Sequence, residues 1–161
     1  MASKQFFDPL TLLRVAPVVS TSMSLWFCVD QYTFFKNFIT PPVREKGNQI
    51  LPLYWKHFLS KGLTSIFGLY GLSIGFGIAN LYKGANPSRL YAVGAAFSAA
   101  HFLFVPFVAP KIQAMSEGKD TDQNWDQQRK WLNVHAIRSL FVDLPGWVCF
   151  LAAASQSLVA I

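Results

Sequence analysis

The stretch LSKGLTSIFGLYGLSIGFGIANLY, residues 59–82, carries a single charged side chain, Lys61. A transmembrane helix needs about 20 predominantly apolar residues, so this segment is long enough to cross a bilayer. Lipid offers no water to satisfy backbone polar groups, and a run of this length therefore predicts a helix, whose backbone pairs internally.

Three more segments of the same kind occupy roughly residues 10–35, 90–109 and 136–160. The chain of 161 residues is 52% hydrophobic and 14% charged, whereas soluble domains carry about 25% charged residues. These features predict one integral-membrane domain over residues 1–161. Its fold class is all-α, a four-helix transmembrane bundle in up-down-up-down order, with the lipid bilayer as its surroundings.

The formal net charge of +6 does not indicate nucleic acid as a partner, because the basic residues mostly flank the apolar segments, where they contact lipid headgroups. With four spans, both termini lie on one side of the membrane. The terminal side holds four basic residues: Lys4, Arg14, Lys83 and Arg89. The other side holds nine: Lys36, Arg44, Lys46, Lys56, Lys61, Lys111, Lys119, Arg129 and Lys130. This asymmetry predicts that the two long connections are cytoplasmic, in the endoplasmic reticulum membrane.

Two carboxylates interrupt the apolar segments. Six of the eight acidic residues lie in tails or polar connections, but Asp30 and Asp143 do not. A carboxylate at bilayer depth costs roughly 2.5–3.5 kcal/mol on insertion scales, so it usually faces the protein interior and serves a function. Counting residues from the helix ends places both acids roughly 10 Å below the same membrane boundary.

Other ionisable side chains fall in the same half of the bundle, and the candidate catalytic residues are Asp30, Asp143, Arg138 and His135. Asp143 is about 140° from Arg138 on an ideal helical wheel, so we expect Arg138 to pair with Asp30 across the bundle, with Asp143 on its other side. The three side chains are expected to converge on one internal cavity in the cytoplasmic half. If one acid is protonated and the other ionised, one can protonate a leaving oxygen while the other activates water or a hydroxyl, which is the chemistry of epoxide opening. The alternative is that Arg138 only neutralises the acids and fixes the helix register.

The residues that we expect to line a substrate pocket are Trp55, His57, His101, Trp131 and Trp147. The tryptophans could form the walls around a flat or conjugated molecule. No histidine, cysteine or carboxylate spacing is typical of a metal site, so neither a metal nor another cofactor is predicted. The Gly71–Gly75 pair has the GxxxG spacing that lets another helix approach closely, and homo-oligomerisation is left open.

Three stretches give the chain a family resemblance: Trp55 to Gly62 (WKHFLSKG), residues 102–110 (FLFVPFVAP) and Trp131 to Arg138 (WLNVHAIR). Over roughly residues 50–145 the chain resembles the small four-helix membrane proteins of the anthrone oxygenase-like family, which are common in fungal polyketide gene clusters. His135 stands where that pattern usually has Asn, and Asp143 lies outside it. These two differences make the chain more similar to the membrane epoxide hydrolases and cyclases of fungal polyene-pyrone pathways.

The resemblance implies a membrane enzyme of polyketide secondary metabolism that opens epoxides, without metal or flavin, on a small-molecule polyketide. Two alternatives remain open. One is a cofactor-independent oxygenase of anthrone-type polyphenols, with His135 or His101 as the base. The other is a membrane scaffold or carrier without enzyme activity.

Overall fold

The structure, a computed structural model, describes residues 8–118 and 124–159. Within these ranges the chain is helical and contains no strand. Four helical spans are long and apolar enough to cross a membrane: Pro9–Asn37, Arg44–Tyr82, Ser88–Glu117 and Asn124–Leu158. The predicted fold class, an all-α bundle of four membrane-spanning helices, is confirmed.

Two of the spans contain short irregular turns, so the bundle comprises six α-helices. These are α1 (Pro9–Asn37), α2 (Arg44–Tyr82), α3 (Ser88–Ala100), α4 (Val105–Glu117), α5 (Asn124–Arg138) and α6 (Leu144–Val159). A 3₁₀ turn at His101–Phe104 joins α3 to α4, and a π turn at Ser139–Asp143 joins α5 to α6. Each span packs against its neighbours in sequence, and the first packs against the fourth.

Three of the helices extend further toward the two long connections than the sequence predicts. Helix α2 begins at Arg44, the third span continues to Glu117, and α5 begins at Asn124. These extensions are too polar to read as membrane spans, yet they enclose a hydrophobic cluster of their own. The cluster contains Phe35, Leu51, Trp55, Met115, Trp131 and Leu132. We call this end of the bundle the connection end, and the opposite end the terminal end.

The inward face of α1 follows a 3.5-residue period. Its buried residues include a series spaced alternately by three and four: Arg14, Pro17, Thr21, Ser24, Cys28, Gln31 and Phe35. This spacing keeps one face of a helix turned toward its partners over its whole length. Asp30 is not part of the series and is only partly buried.

At the terminal end, hydrogen bonds tie α1 to α2 and α3. The buried Arg14 donates from Nη1 to Asn80 Oδ1 at 2.7 Å and from Nη2 to the Lys83 carbonyl at 3.4 Å. Asn80 Nδ2 donates to the Leu13 carbonyl at 2.8 Å, and the Tyr91 hydroxyl donates to the Arg14 carbonyl at 3.1 Å. A cation is favourable here because the last carbonyls of α2 carry the negative end of the helix dipole. Arg14 therefore stabilises the packing of the helices. It is not one of the basic residues that contact lipid headgroups, although it was counted among them for the membrane orientation.

The predicted membrane orientation remains a prediction. Residues 1–7 and Lys119 lie outside the described residues, and Lys4 and Lys119 both contribute to the basic-residue count.

Asp8 begins α1. Its carboxylate accepts hydrogen bonds from the Thr11 backbone N–H and hydroxyl, which lower the pKa of the carboxyl.

Glycines allow the closest helix contacts at the terminal end. The Phe150 ring is fully buried and lies against Gly94 and Gly77, where an added Cβ atom would be 2.9 Å and 3.1 Å from ring carbons. The Gly71–Gly75 pair behaves differently. A Cβ atom added at either position meets nothing within 4 Å. The expectation that this pair lets another helix approach closely is therefore wrong for the helices of this chain.

This contrast gives a matched test of packing. We expect Gly94→Ala to destabilise the bundle by about 1–3 kcal/mol, because the new methyl group must displace the Phe150 ring. Gly71→Ala should leave stability unchanged or raise it by about 0.5–1 kcal/mol, since alanine favours helix more than glycine. Thermal unfolding of both variants in detergent measures the difference, and equal midpoints would contradict the packing described here.

Candidate active site

A cluster of buried polar side chains lies where the four spans meet. Its centre is Asp143, whose two carboxylate oxygens have different partners. Oδ1 is 2.9 Å from His101 Nδ1, and Oδ2 is 3.3 Å from Arg138 Nε. Cys28 Sγ approaches Oδ2 at 3.7 Å. The six residues Cys28, Tyr70, His101, His135, Arg138 and Asp143 are called the polar cluster below.

The π turn brings Arg138 and Asp143 together. Five residues apart on a regular α-helix, they would point about 140° away from each other. In the turn, the Leu144 N–H donates to the Ser139 carbonyl, five residues back, and the widened turn brings the two side chains to one face. Pro145 favours the change because it cannot donate to the carbonyl four residues before it.

The 3₁₀ turn positions His101 in a similar way. Pro106 follows this turn and lacks an N–H, so the ordinary α-helical bond to the Phe102 carbonyl cannot form. The Val105 N–H bonds to Phe102 instead, which is the tighter 3₁₀ pattern. The third span therefore changes helix type locally before Pro106, and it continues past the predicted residues 90–109 to Glu117.

His135 holds the guanidinium of Arg138 in place. Its Nε2 lies 2.9 Å from the Cys28 carbonyl, which can only accept, so Nε2 carries the proton. Its Nδ1 is then the acceptor for Arg138 Nη2 at 2.9 Å. Trp131 stacks on the His135 ring, with centroids 4.7 Å apart. Both nitrogens of His135 thus have protein partners, and the residue positions Arg138 rather than facing a substrate.

Tyr70 and Cys28 close the cluster from the other side. The Tyr70 hydroxyl is 3.9 Å from Cys28 Sγ, and the Tyr70 ring lies against the His101 ring with centroids 3.7 Å apart. The His101 ring is therefore fixed both by its hydrogen bond to Asp143 and by an aromatic neighbour.

A cavity of about 590 Å³ adjoins the polar cluster. It lies between α2 and the third span, and it reaches from the hydrophobic cluster at the connection end to the middle of the bundle. Apolar side chains such as Phe58, Ile66, Phe102 and Val108 form most of its lining. Ligand pockets typically have this size and this mainly apolar character, with a few placed polar groups.

His101 and Arg138 belong both to the polar cluster and to the cavity wall. Each has hydrogen-bonding capacity left over. Among the described residues, no partner is bonded to His101 Nε2 or to Arg138 Nη1. Two lining residues of the cavity thus carry a ring nitrogen and an N–H group without a described partner, and Asp143 contacts both side chains.

The structure brings together some of the predicted site residues and not others. His101, Arg138 and Asp143 meet directly, and Trp55 and Trp131 line the cavity as predicted. His57 is exposed and outside the cavity, and Trp147 bonds to Ser22 Oγ on a different part of the bundle. Neither of these two contacts the cavity.

Asp30 does not join the polar cluster. The carboxylate paired with Arg138 is Asp143, and Asp30 has no hydrogen bond or ion pair with any described residue. Asp30 is two positions after Cys28 in the chain. At about 100° per residue, its side chain is therefore rotated about 200° away from Cys28 and from the inward face of α1. The expected contact between Asp30 and Arg138 is absent, because the π turn supplies Arg138 with a carboxylate from its own span.

Three inward-facing residues near the cavity did not emerge from the sequence: Cys28, Gln31 and Tyr70. The spacing of Cys28 and Gln31 in the sequence could have identified them as inward-facing residues. Both belong to the series of polar and small residues on α1 that repeats every three or four positions. Tyr70 gave no such signal, because it is one aromatic residue among many in an apolar span.

The fold and site thus define a membrane helical bundle with a buried acid–base cluster at the end of a ligand-sized cavity. The chain is 32% identical to "Probable epoxidase scpX" of Mollisia scopiformis over 156 residues, which is 92% of this chain and 98% of that protein. It is 30% identical to "Epoxidase gkaX" of Penicillium citrinum over 155 residues, 92% of this chain and 96% of that protein. It is 28% identical to "Epoxidase pydX" of Acremonium sp over 156 residues, with 93% and 96% covered.

The chain belongs to the family of these fungal proteins, which are named for epoxide chemistry. No protein-family model matches the chain, and no solved structure matches it. These relatives confirm the resemblance to fungal proteins of epoxide chemistry.

The ion pair at the centre of the cluster can be tested through stability. Arg138→Met should destabilise the bundle by about 3–5 kcal/mol, because it leaves the Asp143 carboxylate buried without its cation. Asp30→Asn should change stability by less than about 0.5 kcal/mol, since that side chain has no described partner. Thermal unfolding in detergent compares the two variants, and a larger effect at Asp30 would refute the assigned pairing.

Proposed function

We propose that the chain is a membrane enzyme of fungal secondary metabolism that carries out epoxide chemistry on an elongated, mainly apolar small molecule such as a polyketide. The observation that carries the proposal is the cavity with His101 and Arg138 at its inner end. The relatives' names support epoxide chemistry, and the apolar lining supports a substrate of low polarity.

For the direction of the reaction, the polar cluster supports epoxide opening by acid–base catalysis. Arg138 Nη1 can donate a hydrogen bond to the epoxide oxygen and stabilise the alkoxide that develops on it. His101 Nε2 can take the proton of a water molecule or of a hydroxyl within the substrate. That oxygen attacks the ring carbon from the face opposite the C–O bond that breaks. His101 then returns the proton to the alkoxide.

Asp143 supports both steps without touching the substrate. It accepts the Nδ1–H bond of His101, which fixes the ring and leaves Nε2 available to the cavity. It also offsets the positive charge that His101 gains when it takes a proton, as the carboxylate does in a serine hydrolase triad. This differs from the two-acid mechanism expected from the sequence, because His101 takes the place of Asp30.

A second candidate function is epoxide formation, and the relatives' names favour it, because an epoxidase transfers an oxygen atom to a carbon–carbon double bond. In that reaction Arg138 would bind the oxygen of the product. The oxygen atom would come from a peroxide, whose other oxygen leaves as an alcohol or water, or from O₂ together with an external two-electron reductant, which converts the second oxygen atom to water.

Isotope labelling separates the two directions. Detergent-solubilised protein is incubated with a long-chain alkyl epoxide or with the matching alkene, in H₂¹⁸O or under ¹⁸O₂. The alkene reactions contain a two-electron reductant, and a parallel set contains an ¹⁸O-labelled peroxide instead. For epoxide opening we expect consumption of the epoxide, with the label from water in the diol product. Label from O₂ or from the peroxide in an epoxide made from the alkene would instead establish the second candidate.

Substitutions test the assigned residues. We expect His101→Gln and Asp143→Asn each to lower turnover of the epoxide by about 10²–10⁴-fold, the typical contribution of general acid–base catalysis. His57→Gln is the matched control, and it should keep wild-type turnover because this side chain lies outside the cavity. Wild-type turnover in both cluster variants would rule out the mechanism.

A further inference from the structure

Gln31 is a buried polar residue that the proposed mechanism does not use. It lies on α1, only 5% exposed, within the inward series between Cys28 and Phe35. Its side chain lines the cavity together with Trp131 and Arg138. The side-chain amide makes no hydrogen bond with any described residue, although it can donate two and accept two.

An amide in this position is costly unless something binds it. Burying an unpaired polar group costs roughly 1–3 kcal/mol in proteins, and most buried polar atoms therefore have partners. Gln31 lines the cavity of about 590 Å³, whose walls are mainly aromatic and aliphatic side chains. The partner that satisfies it must come from inside that cavity.

We infer that Gln31 forms a second polar subsite, which binds a carbonyl or hydroxyl oxygen of the substrate. This inference rests on the proposed function for the identity of the reacting end, at His101 and Arg138. Gln31 is three residues from Cys28, which contacts Arg138 and Asp143, so the two polar points are about 5 Å apart along the helix axis. The oxygen that Gln31 binds therefore lies on the connection-end side of the substrate's reacting carbon, about one helical turn further along α1.

The subsite sets the position of the substrate along the cavity. The apolar lining can hold a chain at any depth, because hydrophobic contact is not directional. A hydrogen bond to Gln31 fixes one depth, at which the reacting carbon lies beside His101 and Arg138. Gln31 is thus a positioning residue that determines which bond of a long substrate reacts.

The test uses long-chain ketones without an epoxide, so that it does not depend on turnover. A homologous series, with the carbonyl moved one carbon at a time along the same alkyl chain, is compared with the parent alkane. Affinity is measured by the thermal stabilisation of the detergent-solubilised protein. We expect one carbonyl position to bind about tenfold more tightly than the alkane, the value of one hydrogen bond of about 1.4 kcal/mol.

Gln31→Met keeps a side chain of similar length without the amide, and it should abolish the preference for that carbonyl position while leaving the affinity for the alkane unchanged. Gln31→Glu should also abolish it, because a carboxylate cannot donate to a carbonyl. Gln156→Met is the control for the same substitution at an exposed position, and it should retain the preference.

The absence of any positional preference in the wild-type protein would overturn the subsite, as would the same preference in both Gln31 variants. If the preference is found and depends on Gln31 but no epoxide is turned over, the subsite holds and the proposed function fails. If Gln31→Met instead lowers turnover of an alkyl epoxide without changing any affinity, Gln31 holds the attacking water, and the subsite is refuted.

Discussion

The carboxylate of Asp143 is the constraint on which the rest of the structure depends. A charge at bilayer depth has no water to solvate it, and only partners from the protein can offset the cost. Asp143 obtains them from the third span through His101 and from its own span through Arg138. Arg138 in turn needs His135, and His135 is anchored on the backbone of α1 through the Cys28 carbonyl. Three spans are thereby held in one register by a single chain of polar contacts.

The two ends of the bundle divide stability and chemistry between them. At the terminal end, glycines admit the Phe150 ring and Arg14 binds the last carbonyls of α2, so the helices approach closely and leave little room. At the connection end, the helices are longer and an aromatic cluster around Trp55 and Trp131 separates them. The cavity lies beside this cluster, between α2 and the third span, and it reaches the polar cluster at His101 and Arg138.

The sequence predicted the fold class and the position of the site along the bundle, but not which side chains pair with one another there. Apolar length alone indicates four spans, and an intramembrane acid indicates a functional residue, which places Asp143 correctly. The regular helical wheel then misleads, since it separates Arg138 from Asp143 and assigns Arg138 to Asp30. The π turn changes that geometry. Pro145 favours an irregular turn, but a proline in the sequence does not reveal which type of turn will form. The inward series on α1 was readable from spacing, and it excludes Asp30 while including Cys28 and Gln31. The extensions of α2 and of the third span were not predicted, because their hydrophobic cluster takes only one or two residues from each of four separate segments.

The geometry at the end of the cavity fits an epoxide regardless of the direction of reaction. An epoxide oxygen is a hydrogen-bond acceptor whether it is about to leave carbon or has just been joined to it, and the Nη1 group of Arg138 can donate to it in both cases. What distinguishes the two directions is the group that exchanges a proton beside it. His101, with Asp143 behind its Nδ1, can both take and return a proton, which ring opening requires at each step. Oxygen transfer to an alkene requires no such proton exchange at the alkene carbons. Our proposal of epoxide opening therefore rests on the carboxylate–histidine pair, whereas the relatives' names support epoxide formation.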